Sequence, residues 1–431
     1  MSTTADATPP SPVNVPADAS VSAASAASVA WPPAGGGDAV RAACARLRED
    51  SPVVRVRTPT GDEAWLVTGY ALAKEVLEDE RFSLRDAAKP GVPRPYALTI
   101  PPEIVNAMRE MNNAGLHEEV LRAFGPRSGP VSARWLRERA HGLVDAMIEE
   151  GAPVDLRARF AEPYSAALIC EILGLPYEEG LRLMSGLDLG FLAGPVVPEG
   201  SAANWGKDFA FVLRHVRAPR EEQRGLILTL CALRDAAEAE AEAEAETERK
   251  GAGLTDELLA ATVTTLFMAG VMSTYVFLLH ATLTLIRHPE AVAHLRERPE
   301  KVPLAVEELM RVTLPIGEGL PRIARTDVRV GDVLVRAGEL VLVWVEAANL
   351  DPARFADPER FDLDRAPNPH LSFGAGRHFC PASALSRVHA SEALGVLVER
   401  LPGLRLALPP EQSVSPAGGG KRVPDRVPVL W

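Results

Sequence analysis

Near the C-terminal end of the 431-residue chain, Phe373 to Leu385 reads FGAGRHFCPASAL: two glycines around an alanine, then a histidine, then a cysteine. A free cysteine is most often a small buried hydrophobe. Three features favour chemistry here. Gly374 and Gly376 let the backbone turn sharply and approach a bulky partner closely. The segment that follows, ASALSRVHASEALGVLVERL, has helical spacing. Cys380 therefore stands just before a helix N-terminus, where the positive dipole end and free amides stabilise a thiolate. A thiolate presented from a glycine-rich loop suits the axial ligand of a haem iron, a ligation that pushes electron density toward O–O cleavage.

The rest of the chain must build the frame for that loop. With 47% hydrophobic and 24% charged residues it can bury a large core. Residues 1–30 are rich in Ala, Ser and Pro, with neither the basic start nor the apolar run of a signal peptide or anchor. They read as a disordered tail ahead of one catalytic domain over 31–431. A net charge of −12 with no Lys/Arg run argues against nucleic acid or an anionic membrane as the main partner. Cys44, Cys170, Cys231 and Cys380 lie far apart without C-x-x-C spacing, so neither a zinc knuckle nor a disulfide framework is indicated, and a reducing cytoplasm is expected. EAWLVTGY has strand character and YALAKEVLEDERF helical spacing. Patterns from Val131 to Leu309 are nearly all helical. The period-two run AEAEAEAEAE, Ala237 to Glu246, consists of helix formers and reads as a solvated helix end. Strand patterns return over Val328 to Ala347 and in the closing RVPVLW. The expected fold is mainly α with small sheets at both ends.

The loop and its surroundings resemble the haem-binding region of the cytochrome P450 family. The resemblance implies that fold, with a long central distal helix over the haem and the cysteine loop on the proximal side. It implies haem b with Cys380 as iron ligand, O2 as co-substrate, and electrons from an external ferredoxin and ferredoxin reductase, with Arg377 and Arg387 on the docking face. EELMR offers Glu308 and Arg311 at i,i+3, and Arg360 follows in DPERF; in the family three such residues form a buried salt-bridge network. By position, Arg322 and His378 would contact the haem propionates, since guanidinium and imidazole donors suit carboxylates. Phe373, Gly374 and Ala269 would flank the haem.

The distal helix departs from the family's usual pattern. TTLFMAGVMSTYVFLL carries Met272 and Ser273 where an acid and a threonine usually follow the Ala-Gly pair and relay protons. From the residues alone Met272 is ordinary core packing, and the Ser273 hydroxyl could bond back to its own helix. In MNNAGLHEEVLRAFGPR, Asn113 and His117 occupy the positions of a propionate-binding histidine and arginine. These departures, with PGVPRPYALTIPPEIVN, AGVMST, GDVLVRAGELVLV and RVPVLW, resemble a subfamily of P450 enzymes that couples the aromatic rings of a cyclic dipeptide, from about Glu63 to Trp431. The match places Thr99, Val105, Met108, Phe191, Trp205, Ala269 and Ser273 around the distal cavity, with Met272 beside them. Ala107 stands in place of an asparagine near the substrate, and Lys421 in place of an arginine that reaches the reactive phenol. Gly418, Gly419 and Gly420 would enlarge that wall. The expectation is a cytoplasmic, monomeric oxidase that forms a C–C or C–N aryl bond in an aromatic cyclodipeptide, with Ser273 and Lys421 delivering protons. Intermolecular coupling to a nucleobase or second dipeptide, hydroxylation, and a haem protein without turnover are the alternatives.

Overall fold

A computed structural model describes residues 29–31, 37–96, 116–125, 131–184, 201–243, 254–313, 319–409 and 424–431. Its strands are β1 Val29–Ala30, β2 Val53–Arg57, β3 Glu63–Val67, β4 Phe82–Ser83, β5 Val154–Asp155, β6 Leu320–Ala324, β7 Val328–Val330, β8 Val333–Val335, β9 Leu340–Val343, β10 Arg405–Leu406 and β11 Pro428–Leu430. Its α-helices are α1 Gly37–Asp50, α2 Tyr70–Glu78, α3 His117–Ala123, α4 Ala133–Glu150, α5 Glu162–Leu173, α6 Tyr177–Met184, α7 Ser201–Val216, α8 Gly225–Ala243, α9 Asp256–Arg287, α10 Pro289–Glu297, α11 Val302–Val312, α12 Val345–Asn349 and α13 Ser383–Arg400.

The mainly helical expectation is borne out, and α9 organises it. This helix of 32 residues is apolar nearly all round, so it must be enclosed rather than half exposed. It runs through the main core, packed by α5, α7 and α13. By length and composition it could also cross a membrane, but more than half of its most apolar stretch is buried inside the fold. The Thr255 hydroxyl accepts from the Leu258 amide, and Asp256 and Glu257 in the first turn oppose Arg287 in the last, matching the helix dipole.

The sheets differ from the expectation in one respect. Strands from the two ends of the chain join a single six-stranded sheet, ordered β1-β2-β3-β9-β6-β4, in which β3 and β9 run parallel with Ala64 opposite Leu340 and Val67 opposite Val343. Pairing across so long a stretch of chain leaves no local pattern. The expected strand run over Val328 to Ala347 also ends early: Val345–Asn349 turns into helix α12, satisfying its amides locally. Within the segment expected to be helical, β5 pairs with β11, so the closing strand is anchored in a three-stranded sheet β10-β11-β5. The Ala/Glu run is helical as far as α8 extends, to Ala243.

Candidate active site

The cysteine loop is closed by its own backbone. The Gly374 amide donates to the Leu371 carbonyl (2.8 Å), the Cys380 amide to the Phe373 carbonyl (2.9 Å) and the Ser383 amide to the Cys380 carbonyl (3.2 Å), so the loop hands over directly to α13. Gly374 and Gly376 both have positive φ, 72° and 66°. At Gly376 a Cβ would also lie 2.7 Å from the Leu77 carbonyl oxygen at the end of α2, whereas at Gly374 nothing comes closer than 3.7 Å. Gly376→Ala should therefore lower the melting temperature and haem retention more than Gly374→Ala. Each variant carries about 1–3 kcal/mol of backbone strain, and only the first adds a backbone clash. Equal melting temperatures would contradict the close approach.

Cys380 is partly exposed, while Cys44, Cys170 and Cys231 are buried. Burial pushes the Cys380 thiol above its ordinary value, with the Ala382 amide and the Arg387 charge opposing. A coordinated cation would complete the ionisation, because a metal-bound thiol is deprotonated outright. Behind the loop, Arg387 stacks over the Phe373 ring at 4.5 Å and donates from Nε and Nη2 to the Glu307 carboxylate at 2.6 and 3.1 Å. His370 joins Glu307 from the other side at 3.2 Å. Burial would raise the Glu307 carboxyl, but the hydrogen bonds from His370 and Arg387 hold it down at about 2. Arg387 is thus committed beneath the loop. Arg377, more than half exposed, pairs with Glu80 at the surface.

A buried cation lies near His378 of the loop. Arg322 lies on β6 opposite Val341 of β9 and is only 3% exposed. Its Nη1 donates to the Pro321 carbonyl at 2.8 Å, but among the described residues its buried Nε has no partner and no carboxylate pairs with it. Burial alone pulls this guanidinium down to about 10. His378 is held below its usual value by partial burial and then by the charges of Arg322 and Arg377. A buried guanidinium with no carboxylate beside it among the described residues, next to an imidazole able to donate, invites an anion, since a buried unpaired charge is costly.

The middle of α9 is uncovered by the described residues. Ala269 and Ser273, one turn apart, are exposed, and Met272 and Gly270 are half-buried, in a helix otherwise enclosed. The Ser273 hydroxyl donates to the Ala269 carbonyl at 2.7 Å, so its proton is engaged within its own helix, and among the described residues nothing donates to its oxygen. A half-buried thiol, an orphaned buried guanidinium and a small-residue stripe together fit an apolar disc with anionic edges and a metal centre, that is, a haem.

The buried pair on α11 has the expected Glu308 and Arg311, both side chains fully buried and joined by two hydrogen bonds of 2.8 and 2.7 Å. The third member is corrected. Arg360 is exposed and offers only its backbone carbonyl, 3.3 Å from Arg311 Nη2; Arg365 is the side chain that reaches Glu308, at 3.2 Å. The irregular chain after Phe355 brings the later arginine, not the earlier, over the carboxylate. Asn368 Nδ2 and the Asp362 amide also donate to Glu308, each at 3.0 Å. From Arg311 the network continues to Asn349, whose carboxamide accepts from the Leu371 amide at 2.8 Å and donates to Ser372 at 3.0 Å, just before the loop begins. Arg365, Asn349 and His370 were not singled out in the sequence and carry no local signal. Glu307 was visible only as the neighbour of Glu308.

Of the other expected residues, His117 is the exposed first residue of α3 and Trp205 is buried on α7. Asn113, Thr99, Val105, Ala107, Met108, Phe191 and Lys421 lie outside the described residues.

This chain belongs to the cytochrome P450 family: residues 214–416 match the family model, and curated members align along nearly its whole length. Among them, it is 44% identical to mycocyclosin synthase of Mycobacterium tuberculosis, covering 92% of this chain and 96% of that one. It is 36% identical to nocardicin C N-oxygenase of Nocardia uniformis, over 90% and 94%. Among solved structures, HinD with NMFT and NO superposes with a TM-score of 0.80 at 34% identity, covering 94% of this chain and all of that one. The chain is an oxidoreductase, and membership implies haem, O2, electrons from a redox partner and a small-molecule substrate.

Proposed function

We propose that this enzyme joins two aromatic rings of an aromatic cyclic dipeptide through a C–C or C–N bond without inserting oxygen. The observation that carries this reading is the 44% identity to mycocyclosin synthase over 92% of this chain. Two hydrogens leave the substrate. With two electrons from the redox partner and two protons, they reduce O2 to two waters.

Haem b, when bound, supplies O2 activation and oxidising power, while the chain supplies orientation and proton delivery. Cys380 takes the iron; Arg322 and His378, joined by Asn113 and His117, take the propionates; Phe373, Gly374 and Ala269 flank the ring. Coupling needs the two aryl groups held at contact distance, so positioning accounts for much of the rate. Thr99, Val105, Ala107, Met108, Phe191, Trp205 and Met272 form the walls in this reading. Ser273 stands where the relay alcohol belongs, with lone pairs that can accept from a water. Lys421, a point charge with three donors in place of a planar fork, is the second group for proton delivery. The enzyme works as a cytoplasmic monomer, one catalytic domain over 31–431 behind a tail, with a ferredoxin that docks beside Arg377.

The test is turnover of the haem-loaded protein, with ferredoxin and its reductase, on a panel of aromatic cyclic dipeptides. At least one should be consumed; none consumed contradicts the substrate class. On the substrate found, Lys421→Ala should slow coupling strongly with haem spectra unaltered, and Lys421→Arg should shift preference toward cyclic dityrosine. Unaltered turnover in the alanine variant would remove Lys421 from the reaction.

A further inference from the structure

Helix α7 turns one face to α9 and the core. Trp205, Asp208, Val212 and Val216, spaced by three, four and four, are all buried, at 7%, 8%, 1% and 1% exposed. Valine belongs on such a face; the other two bring polar groups into it. The Trp205 Nε1–H is buried without a hydrogen-bond partner among the described residues. The Asp208 carboxyl takes no hydrogen bond among the described residues. Burial raises it to about 6, and only the exposed Lys207 pulls weakly the other way. Most buried polar groups are satisfied, so a buried indole donor without a partner, one turn from a carboxyl that takes no hydrogen bond among the described residues, requires an explanation. Leaving the indole N–H dry costs free energy that an apolar residue would spare.

We propose that Trp205 and Asp208 form a donor–acceptor pair that recognises one cis-amide edge of the cyclic substrate, the indole N–H donating to the amide carbonyl and the carboxylate accepting from the amide N–H. This rests on the cyclic dipeptide reading above. Residues at i,i+3 lie about 5–6 Å apart at Cβ on one helix face, so both tips can meet a single small group. In a six-membered cyclic dipeptide each amide is held cis, and its N–H and C=O project from the same edge. A linear peptide is trans at nearly every bond and points the two in opposite directions. The pair therefore selects the cyclic form by geometry, and it fixes the ring from which both aryl arms extend.

The experiment uses full-length, haem-loaded wild type, Trp205→Phe, Asp208→Asn and Asp208→Leu. Each is titrated with a turned-over cyclic dipeptide and with its doubly N-methylated analogue; the change in haem absorption gives Kd, and melting temperatures are recorded. Trp205→Phe keeps the ring and loses the donor; it and Asp208→Leu should each weaken the parent dipeptide about tenfold or more, as loss of a hydrogen bond to a buried polar or charged group does. The N-methylated analogue, which cannot donate, should bind wild type weakly and lose nothing further in Asp208→Leu. Asp208→Asn keeps an acceptor oxygen and should bind the parent better than Asp208→Leu. Unchanged parent affinity in Trp205→Phe and Asp208→Leu, with melting temperatures equal or higher, would overturn the pair and leave the two groups to ordered water. Failure of the substrate class looks different: wild type itself then binds no cyclic dipeptide.

Discussion

Cys380→Ser abolishes the thiolate-type absorption of the reduced carbon monoxide complex and, with it, turnover; Cys44→Ser, Cys170→Ser and Cys231→Ser each retain both. This is the expected result because only Cys380 combines partial exposure with a loop that presents it. Cys44 and Cys231 are packed in apolar clusters, and burial drives the Cys170 thiol up to about 12, out of reach of ionisation. A serine hydroxyl is a poor iron ligand and cannot supply the electron push of a thiolate. The readout is spectroscopic, so it does not depend on knowing the substrate. An unchanged spectrum in Cys380→Ser, or loss of the signal in one of the other three, would contradict the assignment.

Glu308→Ala yields little soluble, haem-loaded protein. The carboxylate sits between Arg311 and Arg365, with further donors from Asn368 and the Asp362 amide. Removing it strands the fully buried Arg311 charge, a loss of about 3–5 kcal/mol, comparable to much of a domain's net stability. The network also holds Asn349 against Leu371 and Ser372, so the cysteine loop loses its anchor together with the fold. Arg365→Ala should cost less, because that side chain is partly open to water. Arg360→Ala should stay within about 0.5 kcal/mol, as an exposed side chain whose contribution is only a carbonyl. Urea or thermal unfolding of the three variants checks the order. A well-folded Glu308→Ala, or an Arg360→Ala as damaging as Arg365→Ala, would contradict it.

The contrast between Arg360 and Arg365 shows what a sequence makes legible. Cys380, its glycines and the helix behind it are neighbours in the chain, and their chemistry is local; the Glu308–Arg311 pair follows from helical spacing. The third arginine comes from an irregular stretch whose path is set by long-range contacts, and neither charge nor spacing separates two arginines five residues apart. The same holds for the sheet: each strand is recognisable from its residues, but the pairing of Ala64 with Leu340 is not. Arg322 could be placed on a strand; its burial without a paired carboxylate among the described residues could not. Ser273 was legible as the residue at the relay position, while its bond to the Ala269 carbonyl emerged only with the helix built.

In the proposed reaction this P450 couples two rings of one cyclic dipeptide rather than inserting oxygen or joining two molecules. The most direct measurement is the product mass from an aromatic cyclic dipeptide turned over under isotopically labelled O2. Loss of two hydrogens with no label in the product is the predicted result. A product that gains one labelled oxygen, or one whose mass is the sum of two molecules less two hydrogens, would contradict it.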